Sequence, residues 1–173
     1  MYTIYLSKFM QNYGVVLQVR FNYKKNCCTA NFIILKIANM TASIIYKGDL
    51  RCECTHVQSG TVIETDAPTD NRGKGERFSP TDTVCVGLGT CIITTIGIRA
   101  NDMQLDLSGT KLTVTKHMFS DPRRIGKIDV SIQFPEKINL PEKDKLVLQK
   151  IGDNCPVMKS LHPDIEVLLD YKW

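Results

Sequence analysis

The sequence predicts an α+β fold with largely antiparallel strand pairing, and three observations predict it. Short segments rich in Ile, Val and Thr, several alternating with period two, stand on both sides of a long uncharged stretch. That stretch is introduced by Ser79-Pro80-Thr81-Asp82, a helix-start signature. Two shorter helical patterns then separate a hairpin from a last alternating segment, so the expected order is three strands, helix, two strands, helix pair, strand.

Each element follows from its residues. Residues 42–46, 51–57 and 61–66 are strand-like and are divided by Lys47-Gly48-Asp49 and Gln58-Ser59-Gly60, which predicts an antiparallel meander. Residues 67–78 mix turn formers with charge and form a loop. In the helix that follows, Ser79 can cap, Pro80 suits the first helical position and Asp82 can reach back to the cap's amide. From Val84 to Ile98 it carries no charge on any face, so it is expected to be buried all round. Gly87, Gly89 and Gly97 each cost about 0.8–1 kcal/mol of helix propensity, a cost best explained by another backbone packing close.

After Asn101-Asp102 the period becomes two. Leu112, Val114 and Met118 share one side of a strand, Ile128, Val130, Ile132 and Phe134 share one side of the next, and Ser120-Asp121-Pro122-Arg123 joins them as a hairpin. Leu140-Pro141-Glu142 opens a second helix with Leu146, Val147 and Ile151 inside and Gly152 as its stop. Asp153-Asn154 is expected to cap a short third helix from Cys155-Pro156 to Leu161. Ile165, Val167, Leu169, Tyr171 and Trp173 alternate as the final strand.

Composition excludes several classes. The 173 residues are 43% hydrophobic and 23% charged, an ordinary balance for one globular domain. No apolar run is read as approaching the roughly 20 residues of a membrane helix, so no membrane partner is expected. The net charge of +4 belongs to the leader: residues 1–39 hold Lys8, Arg20, Lys24, Lys25 and Lys36 without an acid, which leaves 17 basic against 18 acidic groups from residue 40 onward. A nearly neutral body argues against nucleic acid as a ligand. The leader is also aromatic-rich, and it matches neither a transit peptide nor a secretory signal. It is expected to be an atypical extension outside the fold, with the domain occupying residues 40–173.

Seven cysteines, an odd number without a secretory signal, point to free thiols in a cytoplasmic setting. Cys91 lies deep in the uncharged helix, where either core packing or reactivity would suit it. Cys155 lies at a helix start, where backbone amides would favour a thiolate.

Taken together, Phe78-Ser79-Pro80-Thr81-Asp82 leading to Gly89-Thr90-Cys91, and Asn154-Cys155-Pro156-Val157 beyond it, resemble the OsmC/Ohr family of osmotically induced and organic hydroperoxide resistance proteins. The resemblance covers residues 40–173 and not the leader. It implies an intertwined homodimer in which antiparallel sheets wrap around long central helices. It also implies a cysteine-based thiol peroxidase acting on organic hydroperoxides, with Cys91 peroxidatic, Cys155 resolving, and a dithiol reductant of lipoyl type. No cofactor or metal enters that chemistry. A second thiol within reach captures a sulfenic acid as a disulfide before it oxidises further. The dithiol is expected to regenerate the protein by exchange through Cys155, taken as the more exposed sulfur.

One position departs from the family pattern. Many members carry a Glu after the Pro, paired with an Arg that stabilises the thiolate, and here that position is Thr81. Asp82 is turned about 100° away on the helix, and Arg72 or Arg77 could supply the cation. The departure supports an alternative, a non-catalytic dimer binding a small or lipid-like ligand. The remaining candidates have plainer readings. Cys52, Cys54 and His56 share one strand side as a remote zinc possibility without a fourth ligand. Cys85 packs in the core, His117 and His162 lie at the surface, and Arg123, Arg124 and Lys127 form a solvated hairpin tip.

Overall fold

A computed structural model describes residues 18–24, 27–33 and 40–173, which divide into two units, residues 1–77 and residues 78–173. In the first unit, strands β1 (Gln18–Lys24) and β2 (Cys27–Ile33) pair with each other. Strands β3 (Ala42–Gly48), β4 (Arg51–His56) and β5 (Val62–Asp66) form the expected meander. Its register opposes Ile44 to Cys54, Tyr46 to Cys52 and Cys54 to Ile63, so one face carries these apolar side chains. That face is poorly covered, with Ile44 66% and Tyr46 63% exposed. On the other face Arg51 grips the buried Asp66 with two hydrogen bonds of 2.7 and 2.8 Å and also reaches Glu76 at 2.6 Å. The guanidinium holds the Asp66 carboxyl below its ordinary range.

The second unit is built on helix α1 (Pro80–Asp102). Its start is the predicted capping box: Ser79 Oγ accepts from the Asp82 amide at 3.1 Å, and Asp82 Oδ2 accepts from the Ser79 amide at 2.7 Å. Strands β6 (Lys111–Ser120) and β7 (Arg123–Gln133) form the predicted hairpin, and β8 (Glu166–Lys172) joins β7 in parallel. The parallel pairing follows from the crossover through helices α2 (Glu142–Gly152) and α3 (Pro156–Ser160), which returns the chain to the end where β7 began. Leu88, Ile92 and Ile96 of α1 meet Ile128, Val130 and Ile132 of β7, with Leu148 and Cys155 completing the core.

Several expectations are corrected here. Helix α1 is not buried all round within this chain, because the side of Val86, Thr90, Thr94 and Ile98 is exposed, Ile98 to 68%. By length and composition α1 could also cross a bilayer, contrary to the expectation that no segment could; here its other side is core. In α2 the inward residues are Leu148 and Gly152, while Leu146 is 49% exposed. Gly152 does end α2 as expected, but without a left-handed backbone, since it is not among the positive-φ glycines. It is a contact: a Cβ there would lie 2.6 Å from Tyr171 Oη, 2.9 Å from Ile96 Cδ1 and 3.2 Å from Ile92 Cγ2. Gly89 approaches Val114 in the same manner at 3.0 Å, whereas a Cβ at Gly87 or Gly97 would meet nothing.

Candidate active site

The cap of α3 is Cys155 itself rather than Asp153 or Asn154. Its Sγ accepts from the Met158 amide at 3.5 Å, and Pro156 fills the first helical position. The side chain is held inward and fully buried, at 0% exposure. Cys91 lies near the middle of α1, one position before the buried Ile92, and is half-buried at the edge of the helix's core-facing side. The packing of α3 on α1 brings these two thiols, 64 positions apart in sequence, close enough for the Cys91 side chain to act on the Cys155 thiol. Both remain free thiols.

This placement corrects two expectations about Cys155. Burial pushes its thiol above the ordinary range; the Met158 amide opposes this, and the Cys91 side chain adds to the rise. Position at a helix start therefore does not make it a ready thiolate, because desolvation outweighs the amide contact. Cys155 is also the less exposed sulfur of the pair, not the more exposed one.

The junction that carries Cys155 is fixed by a residue the sequence reading did not single out. Tyr171, inward on β8, donates its hydroxyl to Asp153 Oδ1 at 2.9 Å and lies 3.3 Å from the Gln149 carbonyl. Burial, then the Asp153 carboxylate, pushes this phenol well up, so it stays a donor. With Gly152 allowing close approach, Tyr171 ties the end of α2 down immediately before Cys155.

At the start of α1 the second unnoticed residue is Lys116. It sits between Val114 and Met118 on the inward side of β6, where alternation calls for an apolar side chain. Its ammonium donates to Asp82 Oδ1 at 2.6 Å, Thr81 Oγ1 at 2.8 Å and Ser79 Oγ at 3.2 Å. A charged residue in the apolar row was the available signal. Burial pushes the Asp82 carboxyl up, but the hydrogen bonds from Lys116 and Ser79 outweigh it and hold it below its usual range. Asp82 thus supplies the carboxylate of a cation pair at the helix start while Thr81 serves as a neutral acceptor.

The other residues singled out fall elsewhere. Cys85 is buried beside Lys116 and Asp82, and burial raises its thiol. Arg77, in the first unit, bonds Glu64 at 3.0 Å, and Arg72 takes a left-handed backbone, φ 65°. His117 pairs with Asp129 at 2.7 Å on the outer sheet face, and His162 is exposed. The hairpin tip carries more than solvated charge: Arg124 stacks over the Phe119 ring, which lies on the bare backbone of Gly126. Cys52 and Cys54 are half-buried on β4, and the His56 ring bonds Ser59. Among the described residues no group of three or more His, Cys, Asp or Glu side chains is arranged to hold a metal ion.

Comparison with known proteins agrees with this architecture. The family model for OsmC-like protein matches residues 73–170, and the chain belongs to that family. A solved protein of Psychrobacter arcticus, provisionally assigned to osmotic stress induction and detoxification response, is 43% identical over 79% of this chain and 99% of its own, with a TM-score of 0.73. An organic hydroperoxide resistance protein OsmC of Legionella pneumophila shares the fold at 18% identity, covering 79% of this chain and 99% of its own, with a TM-score of 0.57. The organic hydroperoxide resistance protein OhrB of Bacillus subtilis does so at 15% identity, 78% and 100% coverage and a TM-score of 0.53. No match is found among curated proteins.

Proposed function

We propose that this protein is a cysteine-based thiol peroxidase that reduces organic hydroperoxides, with Cys91 peroxidatic and Cys155 resolving. The observation that carries the reading is the nearness of the two thiols across α1 and α3, where Cys91 acts on the Cys155 thiol. Cys91, as thiolate, attacks the distal oxygen of the hydroperoxide; the O–O bond breaks, the alcohol leaves with a proton, and Cys91 becomes a sulfenic acid. Cys155 then attacks the Cys91 sulfur, a disulfide forms and water leaves. A dithiol reductant returns both thiols. Burial, with the Cys91 side chain adding to it, pushes the Cys155 thiol up, which suits it to act second, after Cys91 has been oxidised. The apolar surroundings of Ile92, Leu88 and Leu148 favour alkyl or aryl hydroperoxides over hydrogen peroxide.

The same proposal takes residues 40–173 as the domain and an intertwined homodimer in the cytoplasm as the working form. Support for the dimer comes from the exposed apolar side chains of α1 around Gly97 and Ile98 and from the uncovered face of the β3–β4–β5 sheet.

The test is hydroperoxide consumption with a dithiol present. Wild-type protein should turn over and accumulate a Cys91–Cys155 disulfide when the dithiol is withheld. Cys91→Ser should fall to background, and Cys155→Ser should react once and stall as a sulfenic acid that a dimedone probe traps. Consumption by wild type no greater than by Cys91→Ser would refute the peroxidase. The second reading, a ligand-binding dimer, rests on Thr81 standing where a carboxylate would be and would then take its place.

A further inference from the structure

In β8 the inward residues are Val167, Leu169 and Tyr171, and only the last carries a polar group. Its register partner is Ile132, a fully buried residue of β7, so packing alone would be served there by a phenylalanine. The hydroxyl is directed at the end of α2, where it donates to Asp153 Oδ1 at 2.9 Å and lies 3.3 Å from the Gln149 carbonyl. From these partners to Cys155 the backbone turns without a break. The amides of Asp153, Asn154 and Cys155 donate to the carbonyls of Gln149, Ile151 and Gly152 at 2.9, 3.2 and 3.1 Å. A displacement at Asp153 is therefore passed on to Cys155, whose sulfur is otherwise held by the longer 3.5 Å contact with the Met158 amide. Both bonds of the Tyr171 hydroxyl go to the segment that leads to Cys155, and neither goes to α1, which carries Cys91.

We infer that Tyr171 is a positioning residue for the resolving step, and that its hydroxyl decides how readily an oxidised Cys91 closes to a disulfide instead of oxidising further. The inference deepens the function proposed above and rests on it. A sulfenic acid on Cys91 has two fates. Attack by the Cys155 sulfur forms the S–S bond and breaks the S–O bond, and the hydroxide leaves with the thiol proton as water. Alternatively the sulfenic acid attacks a second organic hydroperoxide; the O–O bond breaks, one oxygen stays on sulfur as a sulfinic acid and the alcohol leaves. The first fate is intramolecular and depends on where Cys155 is held, whereas the second depends on the hydroperoxide concentration. Their ratio sets the concentration at which the protein inactivates itself. Loosening the junction lowers that concentration and leaves the first attack, made by Cys91, unchanged.

The experiment compares wild type, Tyr171→Phe, Asp153→Ala and Asp153→Asn in the full chain, with cumene hydroperoxide as oxidant and peptide mass as readout. Asp153 is exposed, so Asp153→Ala removes the same hydrogen bond without touching the core. In Tyr171→Phe and Asp153→Ala, formation of sulfenic acid, followed with a dimedone probe, should match wild type within about twofold. Disulfide closure should slow about tenfold, and half of Cys91 should reach sulfinic acid at about one-tenth of the wild-type hydroperoxide concentration. Asp153→Asn keeps a carbonyl oxygen that accepts from Tyr171 and should partition as wild type does. An unchanged partition in Tyr171→Phe and Asp153→Ala, or equal slowing of both steps as a merely structural role would give, would overturn the inference. A second arm uses diamide, which links neighbouring thiols without hydroperoxide, and the same tenfold slowing is expected. Wild type inert to hydroperoxide would refute the proposed peroxidase; the placement of Cys155 by Tyr171 would then stand on slower closure by diamide in Tyr171→Phe and fall if closure were equal.

Discussion

Replacing Gly152 by Ala tests the contact that sets the spacing of the two thiols. The new Cβ would stand 2.6 Å from Tyr171 Oη and 2.9 Å from Ile96 Cδ1, against the 3.4 Å or more of ordinary contact, so α2 must withdraw by about 0.8 Å or its neighbours must move. Overpacking of this size costs about 1–3 kcal/mol. Disturbing the Tyr171 hydroxyl, which donates to Asp153, adds about 1 kcal/mol. The gain in helix propensity offsets at most about 1 kcal/mol. A net loss of about 1–3 kcal/mol should appear in urea unfolding as a lower midpoint at unchanged slope. Cys155 lies one turn beyond Gly152, so the same displacement separates it from Cys91, and disulfide formation should slow about 10- to 100-fold. Gly97→Ala is the control, because its Cβ would meet nothing within the chain. It should gain up to about 1 kcal/mol if that face is free and should weaken dimerisation if a second copy packs there. Wild-type stability and disulfide rate in Gly152→Ala would refute the claim that this glycine fixes the site's geometry.

Three further outcomes follow from the start of α1. Ser79→Ala removes the acceptor of the Asp82 amide and a partner of Lys116 at a position only 1% exposed, and should cost about 1–2 kcal/mol by denaturant titration. Lys116→Met leaves the Asp82 carboxylate without its cation. Asp82 is 37% exposed and partly screened, so the loss near neutral pH should be about 1 kcal/mol. A carboxyl held low in the folded state contributes stability above its unfolded value of about 4 and loses it as pH falls through the folded value, so the gap between wild type and Lys116→Met should close in acid. A gap that is constant with pH would place the effect in packing instead. Finally, brief iodoacetamide exposure near neutral pH should modify Cys91 well before Cys85, whose buried thiol is pushed up; equal labelling by peptide mass would argue against a reactive Cys91.

Local chemistry was sufficient for much of the fold. Ser79, Pro80 and Asp82 specify the start of α1 because a cap needs only groups within one turn, and the alternation in β6, β7 and β8 marks their inward faces because a strand repeats every two residues. The meander's turns were legible for the same reason. The candidate pair Cys91 and Cys155 was legible only as two motifs resembling those of a family, since no local rule relates residues 64 positions apart. Their nearness, the complete burial of Cys155 and the rise of its thiol depend on how closely α3 and α2 settle on α1. That distance is governed by Gly152 and Tyr171, residues whose sequence context suggests a helix stop and a strand position. Lys116 was overlooked because a single charge in an apolar row has meaning only once Asp82, Thr81 and Ser79 are brought opposite it. Propensity and periodicity are properties of neighbouring residues and are written in the sequence; desolvation and the pairing of distant charges exist only when the chain has closed on itself.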